Sequence, residues 1–121
     1  MYVLTNQQKE EVAYIETNMI VKAGSMELLG VLLGNCVFDR SGKLTGKFFG
    51  GIVYNLKGEQ LSEANITAPV AGGEAAFQKH MQEASDIVYS ITNHVDVWIE
   101  PSGKWSKMSL GQTLQAVLAT V

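Results

Sequence analysis

The sequence predicts a single α+β domain spanning residues 1–121. Its antiparallel sheet is built from a four-strand meander plus a C-terminal hairpin, with a long central helix and short terminal helices packed mainly on one face. Three observations predict this. Apolar runs alternate with turn residues from about Asn18 to Ile66, apolar side chains recur at helical spacing from Glu74 to about Asn93, and 121 residues supply material for one core.

The opening segment carries Thr5 with Gln8 three residues on, a capping-box pattern. Val12, Ile15 and Met19 follow at helical spacing from Leu4, so a short first helix is expected. The β-branched and aromatic run Val12-Ala13-Tyr14-Ile15 also fits a strand.

The meander contains a local repeat. The stretches beginning at Gly34 and Gly50 align without gaps, sixteen residues apart, and share an apolar pair, an Asp or Asn, two variable residues and a glycine. The same arrangement recurs from Trp98 to Trp105, so three hairpins of one design are expected. An Asp or Asn side chain accepts hydrogen bonds from the turn backbone, and the glycine takes the left-handed conformation that closes a bulged hairpin.

Pairing Asp39 with Lys43 across the first turn places Phe38 opposite Leu44, Cys36 opposite Gly46, Gly34 opposite Phe48, Leu32 opposite Gly50 and Gly30 opposite Ile52. Every glycine then faces a larger residue. The run Met26 to Phe38, read as one strand, is apolar on both alternating faces and therefore needs two covers. Helices supply one; a folded-over sheet or another subunit must supply the second.

Phe77, Met81, Ala84, Val88 and Ile91, with Ile87 beside them, form the apolar stripe of the central helix. Val95, Val97 and Ile99 then alternate with polar residues as a strand leading into the third hairpin. Ser109 and Gln112 form a second capping box, ahead of Leu114, Val117, Leu118 and Val121 at helical spacing. The element order resembles that of small profilin-like and roadblock-like domains in layout alone, and no residue role is carried over from them.

Charge bears most on function. Asp, Glu, Lys and Arg make up 17% of the chain, against about 25% in a typical soluble domain. So thin a charge coat implies that part of the surface is covered by a second copy or a protein partner. The uncharged terminal helix fits that implication, and Leu29, Val31, Leu33, Leu114, Val117 and Val121 are the contact candidates. The net charge of −3, with a single arginine, Arg40, argues against nucleic acid. One cysteine cannot form an internal disulfide, and neither a signal peptide nor a membrane-spanning apolar run is visible, so a cytoplasmic location is expected.

Candidate chemistry is sparse. His94, Asp96 and Glu100 project to one side of a strand, with Trp98 on the same face, and could border a ligand pocket. Two histidines and one cysteine fall short of a zinc ligand set, so no metal, cofactor or catalytic residue is assigned. Cys36, flanked by Asn35 and Val37, reads as an inert buried thiol, and His80 as a boundary histidine. Ala71-Gly72-Gly73-Glu74 lacks the lysine of a phosphate loop. The expected function is a non-enzymatic interaction module, acting as a homodimer or protein-binding platform. The alternative is a small-ligand-binding domain or minor enzyme using the pocket near His94, Asp96, Trp98 and Glu100.

Overall fold

The computed structural model describes residues 1–68, 74–91 and 98–119. The strands are β1 (Tyr2–Thr5), β2 (Glu11–Glu16), β3 (Met19–Lys22), β4 (Leu28–Leu33), β5 (Cys36–Asp39), β6 (Leu44–Phe49), β7 (Ile52–Asn55) and β8 (Gln60–Ile66). Each pairs antiparallel with the next, and β1 also pairs with β8, closing an up-and-down barrel. Two helices follow, α1 (Glu74–Ser90) and α2 (Leu110–Ala119). The α+β expectation, a four-strand meander and a C-terminal hairpin under a long central helix and short terminal helices, is therefore corrected to a closed eight-strand barrel followed by two helices.

Short turns explain the difference. Glu16 pairs with Met19, Leu33 with Cys36 and Phe49 with Ile52, each across two residues. The run Met26–Phe38 is thus two strands folded at Gly34-Asn35, where Gly34 has φ 62°. The expected first helix is instead the β1–β2 hairpin. There the Asn6 Oδ1 atom accepts from the Gln8 and Glu10 amides, and buried and half-buried residues alternate along β2.

The barrel is a fourfold internal repeat. The register shifts after Leu4, Ile20, Val37 and Val53 of β1, β3, β5 and β7, at intervals of sixteen or seventeen residues, because β2, β4, β6 and β8 each bulge by one residue opposite them. These four are fully buried and supply one equivalent inward residue per repeat. Each lies across from a small residue, namely Ala13, Gly30, Gly46 or Ser62. A barrel of eight tightly curved strands has room for side chains from only one member of each such pair. At Gly30 and Gly46 the constraint reaches the backbone, because a Cβ there would collide with the carbonyl oxygens of Phe38 and Tyr54.

The expectation that glycines face larger residues holds for these two, but the register changes beyond Phe38 and Leu44. The bulge moves Gly46 opposite Val37 rather than Cys36, and β4 pairs with β3 and β5 rather than with residues 50 and 52.

Both covers of the doubly apolar segment are now visible. Ile20, Leu29, Leu32 and Val37 belong to the barrel core, whereas Met19, Val21, Val31, Cys36 and Phe38 face outward and pack under Phe77, Ala84 and Ile87 of α1. The sheet folding over itself supplies one cover and α1 the other. Met81, expected on the apolar stripe, is exposed, and His80 takes the inward side, its Nε2–H donating to the Met26 carbonyl at 2.8 Å.

The third hairpin does not form. Gly103 has the expected positive φ, but Trp98–Glu100 are not in a strand. The segment instead runs beside the start of β8: the Gln60 amide donates to the Lys104 carbonyl, the Ser106 amide donates to the Gln60 carbonyl, and Gln60 bridges Trp105 in parallel. Val95 and Val97 lie outside the described residues.

Beyond it, the Ser109–Gln112 capping box is present in both directions. It starts α2, whose Leu110 and Leu114 enter the barrel mouth against Leu29 and Leu61. Burial of each contributes roughly 2 kcal/mol. At the other end the rings of Tyr2 and Phe48 meet nearly at right angles, with centroids 5.5 Å apart. No helix among the described residues is long and apolar enough to cross a membrane.

Candidate functional site

The residues singled out from the sequence do not converge on one site. His94 and Asp96 lie outside the described residues, as does Val121. Trp98 and Glu100 are exposed and bonded to each other, the indole Nε1–H donating to Glu100 Oε2 at 3.0 Å. Leu29 and Leu114 are buried together in the barrel mouth, Val31 is buried beneath α1, and Leu33 is partly buried there. Val117 belongs to α2. Cys36 is buried. Among the described residues, no three of His, Cys, Asp and Glu are grouped so as to hold a metal ion.

A different site emerges from the repeat. In each repeat a wide turn joins the two strands at the α2 end of the barrel, closed by a backbone bond from the amide of Asn6, Lys22, Asp39 or Asn55 to the carbonyl of Glu10, Glu27, Lys43 or Glu59. The last turn position is therefore glutamate three times and lysine once. Two residues further on come the bulge residues Val12, Leu29, Thr45 and Leu61, apolar three times and hydroxylic once. Both departures fall in the third repeat.

Both departures also line one cleft. About 540 Å³ in volume, it opens between the third and fourth wide turns and the start of α2, and it includes Lys43, Thr45, Lys57, Lys107, Met108 and Thr113 in its wall. In the first and fourth turns the asparagine amide donates to the glutamate: Asn6 to Glu10 at 3.0 Å and Asn55 to Glu59 at 2.9 Å. The third turn has no such clasp. Asp39 Oδ1 accepts from the Ser41 and Lys43 amides and the Ser41 hydroxyl, while its Oδ2 is buried without a partner. Thr45 turns its hydroxyl onto the Val37 carbonyl at 3.1 Å.

Three of the chain's nine Lys and Arg residues thus border one opening in a chain of net charge −3. Among the described residues none of the three is ion-paired, unlike Lys9, which pairs with Glu63, and Arg40, which pairs with Glu83. Glu59, the one carboxylate among the described residues of the wall, accepts from the Asn55 side-chain amide. The described residues of the wall supply positive charge, hydroxyls and aliphatic carbon. Such a set suits binding an anion.

The lysines escaped the sequence reading because they are isolated along the chain. The available signal was positional: Lys43 stands where Glu59 stands in the aligned stretch sixteen residues later. A smaller cleft on the other side of α2, lined in part by Asn6, Glu11, Lys22 and Gln115, has no comparable excess of one charge. Comparison with known protein families, curated proteins and solved structures gave no match to this chain.

Proposed function

We propose that this protein is a small-molecule binding module whose ligand is an anion held in the cleft walled by Lys43, Lys57 and Lys107. The observation that carries this reading is the third repeat, whose departures in charge and polarity, Lys43 and Thr45, both meet the cleft. A barrel closed on a packed core is a rigid support for such a site. The alternative function foreseen from the sequence keeps its class but moves its pocket, away from Trp98 and Glu100. A cytoplasmic setting agrees with the single cysteine, Cys36, which can form no disulfide within the chain.

The test is a titration with acetate and with inorganic phosphate, followed through backbone amide resonances. Saturable shifts confined to Lys43, Lys57, Lys107 and their neighbours, weakening with added salt, are expected. Shifts scattered over all surface lysines would count against the reading.

Self-association is a second reading, favoured by Tyr89 and Trp98, which are 85% and 78% exposed. Large aromatic side chains left in water are typical anchors of a protein interface. Sedimentation of the wild type and of a Tyr89→Ser, Trp98→Ser double variant tests it. A dimer lost in the variant supports the reading, and a monomeric wild type at micromolar concentration removes it.

A further inference from the structure

We infer that the anion bound in this cleft carries an aliphatic chain, making the ligand a fatty carboxylate or an alkyl phosphate in free, monomeric form. The inference rests on the anion-binding reading and adds the ligand's class. Beside the three lysines the wall presents Leu44, Leu56 and Met108. Leu56 and Met108 are 49% and 47% exposed, so two large apolar side chains stand open to water at the site where the cations gather. Leu56 is also out of pattern, because the equivalent turn positions hold Gln7, Ala23 and Arg40.

The character of the wall narrows the tail. Its described residues include no aromatic ring, so a nucleobase or aryl group would find no stacking surface among them. They include no arginine, so the planar fork that reads a phosphate bidentately is missing, and the lysines act as mobile point charges on a head group. Methionine is unbranched and adapts to a flexible chain. Met108 immediately precedes the Ser109 cap of α2 and Leu56 sits in the fourth wide turn, so a tail lying between them would touch both walls.

The experiment titrates the intact chain by calorimetry and amide resonances with octanoate, decanoate, decyl phosphate, decanol and inorganic phosphate, all below micelle formation, and with phosphatidylglycerol vesicles. Decanoate is expected to bind about fifteenfold more tightly than octanoate, because each of its two extra methylenes, when buried, contributes a further factor of roughly four. It should shift Leu56, Met108 and Lys57 together. Decanol, lacking charge, should bind more weakly than decanoate. Leu56→Ser and Met108→Gln, both at exposed positions, should weaken decanoate while leaving inorganic phosphate unchanged, whereas Lys57→Gln with Lys107→Gln should weaken both.

If inorganic phosphate shifts the cleft but decanoate binds no better than acetate, the tail inference falls and the anion reading stands. If nothing shifts the cleft, both fall. Binding to vesicles without binding to free decanoate or decyl phosphate would overturn the inference in favour of a lipid surface.

Discussion

Val37 faces Gly46 across the β5–β6 pair, and the hydrogen atom on Gly46 is what lets the β7 backbone come close enough to continue the barrel. A Cβ at Gly46 would collide with the Tyr54 carbonyl oxygen. Gly46→Ala is therefore expected to destabilise the protein by about 3 kcal/mol or more, since neither backbone can yield without disturbing the ladder. Gly111→Ala, with open space around its Cβ inside α2, should instead stabilise by about 0.5–1 kcal/mol. Urea unfolding of the two variants checks the contrast; equal midpoints would mean that the close approach is not real.

Thr17 occupies the first central position of the β2–β3 turn at φ 55°, where the β4–β5 turn has Gly34. A β-branched residue in the left-handed region costs about 1–2 kcal/mol. Thr17→Gly should thus raise stability by about 1 kcal/mol, after the added freedom of the unfolded chain is set against the relieved strain. A lowered thermal midpoint would show that Thr17 is not strained.

Asp39 organises the third wide turn through Oδ1 while Oδ2 is buried without a partner. Asparagine performs the same backbone task at positions 6 and 55. Asp39→Asn should accordingly stay within about 0.5 kcal/mol of wild type, whereas Asp39→Ala, losing several acceptor contacts at once, should lose about 2–3 kcal/mol. Denaturant curves for the pair provide the measurement, and an Asn variant as damaged as the Ala variant would assign the negative charge itself a role.

Ser62 stands across from Val53 with its hydroxyl buried and unpartnered, while the equivalent position in the first repeat is Ala13. Ser62→Ala removes a desolvated hydroxyl without opening appreciable space and should stabilise by about 1 kcal/mol. Loss of stability in calorimetry would indicate that the hydroxyl has a bonding role in the core.

Much of the local chemistry was legible in the sequence, but the closure was not. The turns at Asp39 and Asn55 were readable because Gly42 and Gly58 mark their left-handed positions, at φ 84° and 81°. The first two repeats have Lys9 and Met26 at the same place, at φ 66° and 57°, and so hide the motif. The peptide from Trp98 to Trp105 carries the turn signal without the barrel partners that would make it a hairpin. The central helix was legible from its spacing, yet only packing reveals that His80 rather than Met81 turns inward. The cleft depends on Lys43, Lys57 and Lys107 meeting across two turns and a helix start, a coincidence with no local sequence pattern. The need for two covers over Met26–Phe38 could be read directly, although not whether a folded-over sheet or another subunit supplies the second.

The pairing of Tyr2–Thr5 with Glu63–Ile66 leaves no strand among the described residues with a free flank. Exposed strand edges recruit strands from other molecules and seed aggregates. Here the amide and carbonyl rows are already occupied all the way round, so fibril growth would first require a seam to open. The seam between β1 and β8 joins strands far apart in sequence. Removal of the first five residues would therefore create two bare edges at once, on β2 and on β8, each a template for aggregation.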